Sequence, residues 1–437
     1  MEEPLSTKTK VCYAVSEAGM LIISYTLATQ LMFFMTDFLG ITAAAAGTMF
    51  LVARIWDAIN DPMMGVIADR TNTRWGKYRP WLLFGGIPMA CSLFLNLNQV
   101  NFGPYNLVYM YIVYIFFGMT YTMAFSPYTT MVSNLARTPE ERNSLSSLKG
   151  GFQGAGVLLA SVLTTPLLQY FGNGEITAGG FRKVGIIFGA IAMALFLLTF
   201  FTVKERPMEN TKPRKYTAGM IASLIFRNRN LMLIVIMYFF MYLRVFLSNS
   251  AAMYFFQYNR QDMSIMPLYM AVSSIVNIVA AGAAPALSKR FGKRSLTLWG
   301  VCICVLAYAG LYAARYAALP IFLLMALVTW LSGSIPFALI WAFVADVADE
   351  TARKNGYRSD SILYAVTSFA NKFSGAISGF VSGAVMSATG YIANQQQTEL
   401  ASFGIDATMF LLPAVCMIFV ALAMYLYRGE KRPAEET

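Results

Sequence analysis

The stretch LVARIWDAINDPMMG, residues 51–65, sets Arg54, Asp57 and Asp61 at i, i+3 and i+7 within an otherwise apolar run. On a helix that spacing brings all three to one face, with the two carboxylates one turn apart. Whether such a face meets water or lipid depends on the rest of the chain. Over 437 residues, 57% are hydrophobic and only 13% charged, and the mean hydropathy is +0.55, which no water-soluble surface accommodates. The fold class expected is therefore an all-α membrane protein, in which residues 51–65 are part of a spanning helix.

Outward from this stretch, apolar runs of about 20 residues, the length that crosses a hydrocarbon core, recur to both ends of the chain. They predict twelve transmembrane helices near 12–38, 43–68, 80–98, 105–134, 145–170, 184–202, 230–257, 264–288, 295–314, 319–346, 361–388 and 405–427. The longest polar stretch divides them, giving an N-terminal six-helix bundle over 1–202, a linker over 203–229 and a C-terminal six-helix bundle over 230–437. No small-residue cleavage site follows the first apolar run, so that run is expected to stay as a helix. Cys12, Cys91, Cys302, Cys304 and Cys416 show neither metal-ligand spacing nor pairing and read as packing residues.

Most of the 33 basic residues fall in the even-numbered loops and the two tails, while the opposite side carries only Arg182, Lys183, Arg260 and Arg315. Lysine and arginine accumulate in cytoplasmic loops, so both termini and the linker are expected on the cytoplasmic side. The net charge of +11 reflects this topology, and no nucleic-acid partner is expected.

Arg54, Lys149, Arg244 and Lys372, with the acids Glu17, Asp57 and Asp61, lie inside predicted helices. Each ionised group at mid-bilayer costs at least about 2.5–3.5 kcal/mol, so the set implies a polar cavity, and a membrane protein built around one is expected to move something through it. Two carboxylates one turn apart repel unless neutralised, which makes Asp57 and Asp61 the candidate pair for a coupling ion, Na+ or H+, with Asn60 and Thr122 as neighbouring oxygen ligands. The chain has no histidine, so any proton must travel through carboxylates. Glu17, also a candidate substrate-binding residue, either completes that site or holds a basic residue. Lys149 and Lys372 sit at related places in the two halves, and with Arg54 they are candidate substrate-binding groups. Tyr121, Tyr128, Trp341, Tyr364 and Phe369 are aromatics near these charges that suit stacking on a sugar ring, although each also reads as ordinary packing.

The segment 51–65 with ADRTNTRWGKYRPWLL after it resembles the second helix and following loop of the glycoside–pentoside–hexuronide:cation symporters, the group that contains melibiose permease and the glucuronide carrier. YIFFGMTYTMAFSPY at 114–128, ADVADE at 345–350, GYRSDSILYAVTSFANKFSGAI at 356–377 and GYIANQQQTE at 390–399 extend the resemblance, in order, over nearly the whole chain. It implies the major facilitator fold in a bacterial inner membrane and alternating-access symport of a sugar or glycoside with sodium, lithium or a proton. In the family motif the paired aspartates, the neighbouring asparagine and a threonine on the fourth helix bind the cation; here these are Asp57, Asp61, Asn60 and Thr122. Lys372 matches the family's basic residue on the eleventh helix, and Lys149 stands where arginine is usual, keeping the charge without the bidentate fork.

The departures narrow the substrate. Acids that hold a galactoside in melibiose permease are matched here by Leu21 and Phe125, and Glu17 in SEAG replaces a more usual aspartate. Glu350-Thr351-Ala352 replaces the usual Tyr-Gly-Glu. Trp341-Ala342 and GYIAN look more like the hexuronide and sulfosugar branch, which together with the basic cavity favours an anionic sugar. Asp69, Arg70, Arg290, Asp346, Asp349 and Arg358 are candidate gating residues at the cytoplasmic helix ends, where arginine–carboxylate contacts would latch the inside shut. A lipid or lysolipid carrier on the same fold and a non-transporting sensor are the rival readings. An intramembrane aspartyl protease is disfavoured because its two acids come from facing helices and Asp57 and Asp61 share one.

Overall fold

The computed structural model describes residues 5–136, 138–205, 228–355 and 360–427. In order, α1 (Thr7–Asp37), α2 (Ala43–Arg70), α3 (Arg79–Phe84), α4 (Gly86–Asn96), α5 (Asn106–Leu135), α6 (Pro139–Phe171) and α7 (Ala178–Thr202) precede the expected linker. After it come α8 (Arg229–Tyr254), α9 (Ile265–Phe291), α10 (Lys293–Ala313), α11 (Leu319–Asn355), α12 (Asp360–Ala388), α13 (Glu399–Asp406) and α14 (Leu412–Leu426). Joining α3 to α4 and α13 to α14 gives twelve helical passes, and no β-strand occurs among the described residues.

Nine of these passes are individually long and apolar enough to cross a membrane. The remaining three fall short for readable reasons. Charges interrupt α2, the third pass breaks at Gly85, and α12 carries Asn371, Lys372 and six serines. Several helices also outrun their apolar cores: α6 starts at Pro139 rather than near 145, and α11 continues to Asn355 rather than ending near 346. Hydropathy reports the lipid-buried part of a helix, whereas its ends are set by caps. The side chains of Ser6, Thr42, Thr138, Thr177 and Asn228 each accept a backbone N–H at the start of a helix.

By packing, the chain forms two compact units. Met1–Thr211, Gln261–Ser274 and Gly379–Thr398 make the first; Lys212–Arg260, Ile275–Ser378 and Glu399–Thr437 make the second. In the first unit α1 is buried almost continuously from Tyr13 to Asp37 and lies against α6 and α7. Small residues allow that approach: a methyl group on Gly156 would stand 2.6 Å from the Ala18 carbonyl, and one on Gly19 3.2 Å from Ala192. With no hydrophobic drive between helices in lipid, backbones that come this close supply the packing. The second unit has a core of Met237, Tyr238, Met241, Val301, Phe343 and Met424. At one end of it, buried Asp406 accepts from Asn259 (2.7 Å), Arg315 (2.7 Å) and Tyr316 (3.2 Å), while Arg260 donates to the Arg315 and Ala317 carbonyls. This occupies two of the few basic residues on the side opposite the charged loops.

The turn between α2 and α3 is tied to the end of α7. Glu205 accepts the backbone N–H of Lys77 (3.0 Å), Tyr78 (2.7 Å) and Arg79 in succession. Gly76 makes room for its carboxylate, having φ +113° and a Cβ position 2.8 Å from Glu205 Oε1. Replacing Glu205 by alanine strands three adjacent donors, each hydrogen bond to a charged group being worth about 1.5–3 kcal/mol. Trypsin cleavage at Arg74 and Lys77 is expected to accelerate roughly tenfold or more in Glu205→Ala, since losing a single such bond already shifts local opening by that factor. An unchanged cleavage rate would show that the turn does not depend on this carboxylate.

Candidate functional site

Within the first unit, α2 is two-faced. Ile55, Ile59, Met63 and Val66 are exposed on the side where lipid belongs, and Asp57, Asn60 and Met64 are buried on the other. One turn apart on the buried side, the carboxylates are held differently. Arg54 Nη1 donates to Asp57 Oδ2 at 2.7 Å, an ion pair within one helix, and Thr122 Oγ1 on α5 donates to Asp61 Oδ1 at 2.8 Å. Asn60 is 1% exposed, and its Nδ2 makes no hydrogen bond among the described residues. The expected cation-binding residues Asp57, Asn60, Asp61 and Thr122 thus lie on the facing sides of α2 and α5. Arg54, expected among the substrate groups, joins this cluster instead.

Sequence spacing gave no sign of Gly118, on which the cluster depends. A methyl group there would stand 2.8 Å from Asp57 Oδ1, so glycine clears the volume that the carboxylate occupies. The signal available was its position four residues before Thr122 on α5, hence on the same helical face.

A second cluster is built from α1, α5 and α6. Glu17 is 3% exposed and pairs with Lys149 Nζ at 3.4 Å, so of the two roles open to Glu17 the structure shows it holding a basic residue. Lys149 also reaches Thr129 Oγ1 (3.4 Å) and lies 5.2 Å and 5.0 Å from the ring centroids of Phe125 and Tyr128. Tyr128 is fully buried, stacked on Tyr13 with centroids 4.6 Å apart and planes at 18°. The two tyrosines exchange bonds, Tyr13 donating to the Tyr128 carbonyl (2.6 Å) and Tyr128 to the Tyr13 carbonyl (3.2 Å). Tyr128 therefore supports Lys149 from beneath. Tyr121 stacks on Phe125 at 5.2 Å and is half-buried, leaving its ring in reach of a ligand. Tyr13 was missed in the sequence, though it lies one turn before Glu17 on the same face.

In the second unit Trp341 is exposed and meets Tyr238 edge-on at 5.5 Å, Phe369 stacks on Phe373 at 5.6 Å, and Lys372 is half-buried. The side chain of Tyr364 lies outside the described residues. Arg244, which needed a reason for being in the membrane, is 1% exposed and caged: its guanidinium lies 5.2 Å from the Trp330 centroid and 6.0 Å from that of Tyr308, with Cys304 Sγ at 3.5 Å. A methyl group on Gly333 would overlap it. Among the gating candidates, Asp346 receives Lys293 Nζ on both oxygens at 2.8 Å, Arg290 lies over Phe291 and Arg70 is exposed in the last turn of α2. The side chains of Asp69 and Asp349, and Arg358 entirely, lie outside the described residues.

The chain as a whole has known relatives. A family model described as MFS/sugar transport protein matches residues 12–431. The isoprimeverose transporter of Lactiplantibacillus pentosus is 31% identical over 422 residues, 96% of this chain and 88% of that protein. The glucuronide carrier protein homolog of Escherichia coli (strain K12) is 26% identical, over 98% of this chain and 93% of that one. Among solved structures, a D-xylose-proton symporter superposes with a TM-score of 0.70 at 16% identity, over 98% of this chain and 100% of that one, a likeness of fold.

Removing one partner of a buried ion pair leaves the other uncompensated, at about 3–5 kcal/mol. Because Lys149 is partly exposed, Lys149→Met is expected to cost about 3 kcal/mol, the lower end of that range, in thermal unfolding of the detergent-solubilised protein. Glu17→Gln combined with Lys149→Met should recover most of the loss. Strictly additive single effects would mean that the 3.4 Å pair carries no coupling.

Proposed function

The chain belongs to the MFS/sugar transport protein family, and from that premise we propose that it is a cation-coupled symporter that carries a sugar or glycoside, by preference an anionic one, into a bacterial cell across the inner membrane. Its work is carriage rather than catalysis, with both termini cytoplasmic as the basic loops require. The observation that supports cation coupling best is the charge balance on α2. Asp57 and Asp61 present two carboxylates and Arg54 one guanidinium, so the cluster is one positive charge short. A single sodium ion or proton makes up the difference.

Carboxylate oxygens, the Asn60 amide oxygen and the Thr122 hydroxyl are hard ligands, the kind a sodium ion takes. Entry of the cation draws Asp57 away from Arg54, and the freed guanidinium turns towards the cavity, raising its attraction for a polar or anionic ligand. Tyr121 and Thr122 are consecutive on α5, so an adjustment of Thr122 towards the cation moves the ring that faces substrate. In the second cluster Lys149 has a carboxylate partner that an anionic sugar can replace; a carboxylate or sulfonate on the sugar takes the ammonium while Glu17 accepts a sugar hydroxyl. Phe125, standing in place of a family acid, keeps an apolar wall beside Lys149 and removes a group that would repel such a ligand. Alternating access then follows from a carrier that moves only when empty or doubly loaded, and each ligand raises the affinity for the other.

Proteoliposome uptake tests the reading with a labelled glucuronide, sulfosugar, neutral pentoside and galactoside under an inward sodium or proton gradient. Accumulation is expected for an anionic member and should be abolished in Asp57→Cys; no accumulation of any member under either gradient would overturn the proposal. Gly118→Ala, which crowds Asp57 without removing a ligand, is expected to raise the half-saturating cation concentration about tenfold or more, since about 1.4 kcal/mol of lost binding is a factor of ten.

A further inference from the structure

Tyr114 is not among the residues assigned to either cluster, yet the two helices that carry the carboxylate site meet through it. On α5, Tyr114, Gly118 and Thr122 fall at i, i+4 and i+8, one stripe of the helix. Facing them, α2 sets Phe50, Arg54, Asp57 and Asp61 on a stripe of its own. The stripes meet in order. The Phe50 and Tyr114 rings stand edge to face with centroids 5.1 Å apart, the Asp57 carboxylate lies against Gly118, and Asp61 accepts the Thr122 hydroxyl. Arg54, one turn along α2 from Phe50, has Tyr114 as a polar neighbour.

A tyrosine in this place needs a reason. Its side chain is 9% exposed, and its ring packs against Phe50 and, at 5.9 Å, Phe117, so phenylalanine would fill the same volume without burying a hydroxyl. Buried hydroxyls are kept where a polar partner is at hand. The charged groups that act on this one are Arg54 and Asp57. Asp57 is engaged by Arg54 Nη1 at 2.7 Å, whereas Arg54 Nε is a buried donor with no hydrogen bond of its own. The guanidinium therefore sits between two oxygens, the carboxylate that holds it and the phenol hydroxyl beside it.

A cation treats those oxygens differently. Sodium or a proton at Asp57 and Asp61 takes up the carboxylate charge and lone pairs, while the neutral phenol oxygen keeps its own. A guanidinium released within the membrane with no oxygen to turn to would oppose cation entry, because a buried charge without a partner is strongly unfavourable. Tyr121 also acts on Arg54, but its ring is stacked on Phe125 and its hydroxyl feels Glu17 and Asp61 as well. The charged groups near Tyr114 are those of α2.

We propose that Tyr114 is the positioning residue that receives the Arg54 guanidinium when a cation takes Asp57, and that its hydroxyl thereby sets the cation concentration at which the carrier loads. This rests on the cation-coupled symport reading. One phenol oxygen occupies only part of the fork of N–H groups, which leaves the rest for an anionic ligand.

The test is Tyr114→Phe in the full-length protein, which keeps the ring contacts and removes the oxygen. In proteoliposomes, uptake of whichever of the four labelled sugars the unsubstituted protein accumulates is followed against sodium concentration and, without sodium, against external pH. The half-saturating cation concentration is expected to rise roughly tenfold or more, the factor that a hydrogen bond to a charged group carries, while the maximal rate at saturating cation holds. In detergent without sugar, the cation concentration at which the melting temperature begins to climb should rise by the same factor. Phe117→Leu loosens the same ring stack but leaves the oxygen, and is expected to keep the cation requirement where it was. Added to Arg54→Met, Tyr114→Phe should raise that requirement no further, since the group it receives is gone.

A cation requirement unchanged in Tyr114→Phe would overturn the inference, and an equal rise in Phe117→Leu would reduce Tyr114 to packing. A further rise in the Arg54→Met background would place the hydroxyl on the cation itself and overturn it too. Failure of the symport reading would show instead as no accumulation of any sugar by the unsubstituted protein, whereas failure of this inference leaves accumulation intact.

Discussion

The dielectric of the bilayer is the constraint on which this structure turns. A charge that would be solvated at no cost on a soluble protein must here find its counterpart on a neighbouring helix, or one turn along its own. In the first unit Arg54 pairs with Asp57 and Lys149 with Glu17, and Asp61 accepts the Thr122 hydroxyl. Arg244 in the second unit is held against the faces of Trp330 and Tyr308, whose quadrupoles attract a desolvated cation. Partners of this kind are exchangeable, since what replaces water at a charge can itself be replaced by a ligand. The interactions that make the fold tolerable in lipid are thus the ones a carrier has available for binding.

Small residues bring those partners within reach. Gly118 clears the volume for the Asp57 carboxylate, Gly156 lets α6 approach α1 closely enough for Lys149 to meet Glu17, and Gly85 lets α3 and α4 break against α5. A methyl group on Gly156 or Gly85 would push against the backbone of a neighbouring helix, and one on Gly118 against the Asp57 carboxylate itself. Apolar contact in lipid discriminates poorly between one helix arrangement and another, so register comes from these close approaches together with the polar pairs they permit.

Legibility in the sequence followed distance along the chain. The α2 cluster was readable because i, i+3 and i+7 lie on one face by geometry alone, and Asn60 and Thr122, named as nearby polar ligands, also matched the family motif. The union of Glu17 with Lys149 was open, since composition gives no means of pairing residues 132 apart. Tyr128 looked like a stacking platform and is buried against Tyr13, a contact that needs α1 and α5 in place. Hydropathy found the apolar passes but understated α6 and α11, whose polar ends extend past the hydrocarbon, and by that measure alone α2 and α12 do not qualify. Helices that carry function in a membrane are the ones that hydropathy ranks lowest.

The two polar clusters of the first unit differ in what can disturb them. Arg54 and Asp57 share a helix, so no movement of one helix against another separates them; only a competing cation or a change of rotamer does. Glu17 and Lys149 span α1 and α6, which pack along their lengths, and that pair too is protected from anything but a ligand. α5 joins the clusters, since Thr122 belongs to one and Tyr121, Phe125 and Tyr128 border the other. A change at the carboxylates can therefore reach the aromatic wall through a single residue of backbone, and thermodynamic reciprocity requires the reverse effect to be equal. Coupling between cation and sugar needs no path longer than one turn of α5.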